Sequence, residues 1–296
     1  VITGPNQTHV SYVHSPMRYA WDLQAQYLTQ SGMGRGLKGL YTRWLLHRLR
    51  MWDMRTANGV DVFVANSSYI AQRIRKVYRR EAVVIPPPVD IDRFKLHTGP
   101  RSGYLVASRF VPYKRVDVIV EAFRGLPECK LTVIGSGPEE SKIRALAVGA
   151  PNIRFLPPQP QDELVKMLQS TRAFVFAAEE DFGIGLVEAQ ACGTPLIAFG
   201  RGGVRDIILP AAADGEATGV LFDHQDSDSL KAAIQHFEIM ADKITPALCR
   251  ANALRFSHQN FLDRMGSVIE KATSSREPEV RSVLKSAAAT IPESSR

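Results

Sequence analysis

The sequence is short of cysteine, with three in 296 residues, at the widely separated positions Cys129, Cys192 and Cys249. An odd, scattered set excludes a disulfide framework, and no zinc-finger spacing is present. A reducing, cytoplasmic setting follows as the expectation. No apolar run is long enough to cross a bilayer as a helix. The sequons Asn6-Gln7-Thr8 and Asn66-Ser67-Ser68 therefore carry little weight as glycosylation sites. Acids are also in deficit, 30 against 37 basic residues, for a net charge of +7. That balance favours a polyanionic partner: nucleic acid, anionic lipid or a nucleotide. Of the rest, 45% is apolar and 23% charged, which excludes the disordered classes, and the length suits two domains.

What is present is an alternation of short apolar runs and helical patterns. Strands are expected at 9–13, 61–65, 82–85, 103–107, 130–134, 153–156, 173–176, 196–198 and 219–222. Helices are expected at 36–58, from an Asn66-Ser67 cap to Tyr78, and at 115–123, 139–147, 161–168, 185–191 and 227–237. Two more are expected after Thr245. Such an alternation specifies an α/β protein with doubly wound, Rossmann-like parallel sheets. Pro86-Pro87-Pro88 reads as a stiff linker. The expected layout is a first domain over 1–88, a second over 89–255, a crossover helix over 256–271 and a disordered tail over 272–296. A doubly wound domain usually needs well over ~100 residues, and residues 1–85 supply only two or three strands. The first domain is thus expected to be incomplete, and the chain beginning at Val1 to be a piece of a longer one.

The most informative stretch is 176–195, Phe-Ala-Ala-Glu-Glu-Asp-Phe-Gly-Ile-Gly-Leu-Val-Glu-Ala-Gln-Ala-Cys-Gly-Thr-Pro. A buried strand ends in an acidic turn with Gly183 and Gly185, and a short helix follows. A helix N-terminus behind a glycine turn presents free N–H groups and the positive end of a dipole, a ready seat for a phosphate. Glu188, in the early part of the helix, suits ribose hydroxyls, and Glu180 on the loop faces the same cleft. The plain alternative is an ordinary turn with a dipole-favoured glutamate. At the next strand ends lie Arg109 and Lys114, which open a helix where cations oppose the dipole, so an anionic partner explains them better than chance surface charge. Gly135 and Gly137 are a weak glycine signal, read as a close backbone approach to a nucleotide. His14 follows the first strand, where ligands bind in open sheets. Its alternative is a histidine that merely caps a loop. Asp90-Ile91-Asp92 follows the proline hinge and is read as a solvated linker, not a metal site.

Residues 36–58 place Leu37, Leu40, Tyr41, Trp44, Leu45, Leu49 and Trp52 at spacings of three and four, among arginines and a single acid, Asp53. Such a helix either packs in its domain or lies in a membrane interface.

The pattern Glu-Asp-Phe-Gly-Ile, Glu-Ala and Ala-Cys-Gly-Thr-Pro, with seven residues between Glu180 and Glu188, resembles the donor motif of glycosyltransferase family 4, retaining enzymes of the GT-B fold. Agreement runs to about Lys271 and includes His-Ser-Pro-Met-Arg-Tyr-Ala-Trp-Asp at 14–22, similar to a subgroup that builds bacterial surface polysaccharides and O-antigens. The resemblance implies a donor nucleotide-diphosphate sugar, GDP-mannose first and a UDP-sugar second, and no tightly bound cofactor. It implies that Arg109 and Lys114 stand in for a metal on the leaving diphosphate, with Gly135, Gly137, Phe182, Gly183, Ile184, Gly185, Leu186 and Glu188 around the nucleotide. Glu180 and His14 would meet the sugar. Gly200-Arg201-Gly202-Gly203 resembles a glycine turn that packs beneath the site. The implied acceptor is a lipid-linked saccharide at the inner face of the plasma membrane. Two rivals remain: a sugar-nucleotide epimerase of the same fold, and a basic module that binds membrane or polyanion without turnover. Against a nucleic-acid module, no aromatics are interleaved with basic groups on a strand surface.

Overall fold

The computed structural model describes residues 2–22, 24–30, 32, 35–210 and 216–274. They form two compact units, one from the described residues up to Pro86 together with those from Phe261 onward, the other Pro87–Asn260. The division falls inside the triple-proline run.

The first unit contains β1 (Val10–Val13), α1 (Gln24–Gln30), α2 (Gly36–Ala57), β2 (Val62–Ala65), α3 (Ser68–Tyr78) and β3 (Ala82–Val84). Its three strands pair in parallel in the order β1-β2-β3. Ser67 caps α3 by accepting from Ile70 N at 3.2 Å. Asn66 is buried and its side-chain amide donates to His14 O, so this sequon is not an accessible acceptor. The core is small, built on Phe63, Ala65, Ile70 and Ile74 beside a satellite of Ala20, Leu28 and Leu46.

The second unit contains β4 (Tyr104–Ala107), α4 (Val116–Arg124), β5 (Leu131–Ile134), α5 (Glu140–Leu146), β6 (Ile153–Leu156), α6 (Gln161–Ser170), β7 (Ala173–Phe176), α7 (Ile184–Ala191), β8 (Leu196–Phe199), α8 (Val204–Ile207), β9 (Gly219–Phe222), α9 (Ser227–Met240) and α10 (Pro246–Ala253). The last helix, α11 (His258–Ser274), begins here. It includes residues 272–274, which the sequence assigned to a disordered tail. The rest of that tail lies outside the described residues.

All six strands of this unit are parallel, in the order β6-β5-β4-β7-β8-β9. Alternate residues of each central strand enter opposite cores. Ala173, Val175, Ile197 and Phe199 join the cluster around Phe123 and Phe237, while Phe174, Phe176, Leu196 and Ala198 join the one around Leu186 and Phe182. A parallel sheet covered on both faces needs this, which is why its strands read as unbroken apolar runs.

One expectation gives way. Asp90 and Asp92 are exposed, but the segment is not a solvated linker. Ile91 and Phe94 are buried in the second core, and Arg250 donates to both of their carbonyls. In α2 the apolar stripe exists, but it points the wrong way for a packed helix. The buried positions are Gly39, Leu46 and Ala57, while Leu37, Leu40, Tyr41, Trp44, Leu45 and Trp52 are all exposed.

Candidate active site

In a doubly wound sheet the ligand crevice opens where the connections reverse direction. Here the chain runs from β4 outward to β6, then returns to lay β7 directly beside β4. The loops after β4 and β7 therefore flank the reversal, and these are the loops that carry Arg109, Lys114 and Glu180.

Lys114 ends a single 3-10 turn, Pro112–Lys114, and the next residue, Arg115, sits in the left-handed region at φ 51°. That strained step, of order 1–3 kcal/mol, is stabilised from outside. The Arg115 guanidinium donates to Asp117 at 3.3 Å and to Gln225 at 3.2 Å, and Gln225 donates to Ala177 O at 2.7 Å. The chain Arg115–Gln225–Ala177 ties the two loops together. Sequence reasoning missed both Arg115 and Gln225, since nothing local marks a left-handed arginine or its distant partner. The Lys114 ammonium lies 5.8 Å above the Phe176 ring and forms an ion pair with Glu180. Arg109 is exposed, and among the described residues its side chain has no ion-pair partner.

Two glycine turns hold these loops. A Cβ on Gly135 would lie 1.9 Å from Ser108 O, and one on Gly137 would lie 2.4 Å from Phe110 O. The glycines thus let the 108–110 backbone pass, and Phe110 N donates to Ser136 O. The close backbone neighbour of this turn is the loop that carries Arg109. On the other side, a Cβ on Gly202 would lie 2.3 Å from Glu180 O and one on Gly203 would lie 2.6 Å from Asp181 O. Gly203 N donates to Glu180 O at 2.8 Å. The 200–203 turn packs beneath the acidic loop.

Gly183, at φ 103°, turns the chain into α7. Leu186 N already donates to Gly183 O at 3.0 Å, so the helix N–H groups left for an anion are those of Ile184 and Gly185. Ile184 and Gly185 are exposed, whereas the Phe182 and Leu186 side chains are core. Anything Phe182 offers a ligand is backbone. Glu188 is half-buried, and burial pushes its carboxyl above the ordinary range, with the Arg93 guanidinium pulling it back. Arg93 also approaches Asp162 at 3.6 Å. Nothing local marks Arg93, which follows the Asp90-Ile91-Asp92 run read as a solvated linker.

In the first unit, His14 is exposed just past the carboxyl end of β1, with Tyr12 edge-on to its ring at 5.2 Å. Among the described residues no group of three His, Cys, Asp or Glu side chains is placed to hold a metal ion, and no helix is long and apolar enough to cross a membrane.

The fold and these loops define a doubly wound α/β protein whose crevice at the sheet reversal is lined by cations, a carboxylate and helix amides. Residues 90–255 match the family described as Glycosyl transferases group 1, and residues 4–93 match Glycosyltransferase Family 4. The chain belongs to these GT-B glycosyltransferases. It is 28% identical over 265 residues to the D-inositol 3-phosphate glycosyltransferase of Mycobacterium leprae, covering 78% of this chain and 60% of that protein. It is 29% identical over 217 residues to the GDP-mannose-dependent monoacylated alpha-(1-6)-phosphatidylinositol monomannoside mannosyltransferase of Corynebacterium glutamicum, covering 64% and 55%. The chain thus spans little more than half the length of these curated relatives. Among solved structures, Anabaena HepE in complex with UDP and glucose matches with TM-score 0.67 at 16% identity, over 89% of this chain and 72% of that one. At that identity the likeness is one of fold.

Proposed function

We propose that this chain carries the donor site of a retaining hexosyltransferase that moves a sugar, mannose from GDP-mannose first, onto a lipid-linked saccharide in bacterial surface-polysaccharide assembly at the cytoplasmic side of the membrane. The observation that carries the reading is the convergence of Lys114 and Glu180 at the sheet reversal, beside the open amides of α7. A diphosphate seated there takes the Ile184 and Gly185 N–H groups, the Lys114 ammonium and the Arg109 guanidinium. Those charges offset what develops on the phosphate as the glycosidic bond breaks. The departing phosphate oxygen then accepts the proton of the acceptor hydroxyl on the same face of the sugar, which preserves configuration. Glu188 accepts from ribose hydroxyls, and Glu180 acts on the sugar ring. The relative named as GDP-mannose-dependent favours guanine, and the UDP in HepE keeps uridine as the competitor.

The test is calorimetry with GDP-mannose, UDP-glucose, GDP and UDP, followed by transfer to a polyprenyl-diphosphate-linked saccharide with the product anomer read by NMR. Binding of a nucleotide sugar with transfer and retained configuration supports the proposal. Interconversion of the donor sugar without acceptor makes the protein an epimerase, and no nucleotide binding removes the reading.

A further inference from the structure

Arg115 adjoins Lys114 at the start of α4, in a left-handed conformation that glycine adopts without strain and an arginine does not. An arginine held there has to be fixed by its side chain. Its Nε donates to Asp117 at 3.3 Å, and one terminal nitrogen donates to Gln225 Oε1 at 3.2 Å. Asp117 also draws Lys142, at 3.9 Å. The guanidinium is thus committed inside the protein, unlike that of Arg109, which is exposed. Gln225 uses both ends of its amide, since its Nε2 donates to Ala177 O at 2.7 Å. The partners fix that orientation: reversed, an NH2 group would face a guanidinium and an oxygen would face a carbonyl. Gln225 is itself seated just before α9, whose start Asp226 caps by accepting from Ser229 N at 2.8 Å. One side-chain amide therefore bridges the loops that follow β4, β7 and β9.

From this we infer that Arg115 and Gln225 are positioning residues: they hold the Lys114 loop against the acidic loop so that the ammonium is in place when a nucleoside diphosphate arrives. The inference rests on the donor site proposed above. The Lys114–Glu180 pair cannot hold the two loops by itself, because a diphosphate that takes the ammonium breaks it. The Arg115–Gln225–Ala177 tie involves none of the groups offered to the phosphate. It keeps the loop after β4 beside the loop after β7 while Lys114 changes partners. Its two ends lie close to the exchanging groups, Arg115 next to Lys114 and Ala177 three positions before Glu180. A loop ordered beforehand lowers the cost of ordering it on binding. Neither residue touches the ligand, and both act through Lys114.

The experiment is calorimetry of GDP and UDP with the full chain and with Arg115→Gly, Gln225→Ala and the double variant, each made with Lys114 present and with Lys114→Met. Arg115→Gly keeps the left-handed backbone and removes the tether. Gln225→Ala cuts the same tie from a loop 110 positions away and leaves residue 115 untouched. Each single variant should bind the better of the two nucleotides roughly three- to tenfold more weakly, the effect of one hydrogen-bonded link. The double variant should be no weaker than either single one, because both break one chain of contacts. With Lys114→Met in place the losses should vanish. Amide exchange over residues 112–116, read by mass spectrometry, should quicken in Gln225→Ala. Parent-like affinity in both single variants, additive losses, losses that persist without Lys114, or unchanged exchange in Gln225→Ala each overturns the inference and leaves the donor site standing. If the parent chain binds neither nucleotide, the donor reading fails and the inference falls with it.

Discussion

The ion pair between Lys114 and Glu180 leads to a counter-intuitive expectation. If Lys114 serves a diphosphate, it must first leave Glu180, and that exchange costs free energy. The two side chains are 21% and 24% exposed, so the pair is neither buried nor fully solvated. Exposed pairs are worth about 0.2–1 kcal/mol, and well-desolvated charge-assisted bonds about 1.5–3 kcal/mol. A value of about 1–2 kcal/mol lies between. Replacing Glu180 by Gln keeps the shape and removes the charge that holds Lys114. A nucleoside diphosphate lacking its sugar should then bind roughly 5- to 30-fold more tightly, while sugar transfer falls because the carboxylate has gone. The assay is calorimetry of GDP and UDP against the parent chain, Glu180→Gln, Lys114→Met and the double variant. In the double variant the gain should vanish, since Lys114 is its source. Unchanged or weaker nucleoside diphosphate binding by Glu180→Gln, with an unchanged melting temperature, would refute the idea that Lys114 is released to the phosphate.

Three other outcomes are expected. Arg109→Ala should leave the melting temperature alone, because the side chain is exposed, yet weaken GDP or UDP binding about tenfold or more, the value of a charge-assisted contact to phosphate. Glu188 has its carboxyl raised by burial, so its folded form binds protons more tightly than the unfolded chain; the stabilisation this brings is present at low pH and is lost as pH rises through the folded value. At neutral pH the ionised side chain is therefore a cost, and Glu188→Gln should hold or raise the melting temperature while donor affinity drops. In the parent chain, donor affinity measured by calorimetry should decline as pH falls into the range just above that of an ordinary glutamate. Gly202→Ala, which drives a Cβ to 2.3 Å from Glu180 O at φ 86°, should destabilise by about 1–3 kcal/mol in denaturant unfolding and loosen the acidic loop, with donor affinity falling alongside.

Physical chemistry decides which of these features could be read from residues alone. Strand β7 runs over the residues the sequence marks, because a central parallel strand covered on both faces is apolar at every position. Ala173-Phe174-Val175-Phe176 has no polar residue to blur its ends. The turn into α7 was legible because Gly183 must adopt a positive φ, which side chains resist. Partners were not legible. Lys114 meets Glu180, 66 positions on, because β4 and β7 are neighbours at the reversal, and no local pattern encodes that adjacency. Gly135 and Gly137 show the same limit from the other side. Their spacing suggested a close approach, and what a side chain there would strike is the 108–110 backbone. A glycine reports that something comes close, and only the fold says what.

The helix α2 sharpens that point. Its period was plain, and a period fixes which residues share a side of a helix, not which side is turned to the core. That choice was made by residues outside the stripe: Gly39, Leu46 and Ala57 close against the unit, Arg50 donates to Ala20 O, and Asp53 is held by Trp21 and Tyr78. The sole carboxylate of the helix thereby lies on the inner side, leaving the outer one with only cations and apolar groups. A stripe of leucine and tryptophan is hydrophobic in either setting. The placement of the one acid against Trp21 and Tyr78 is what the period alone could not tell.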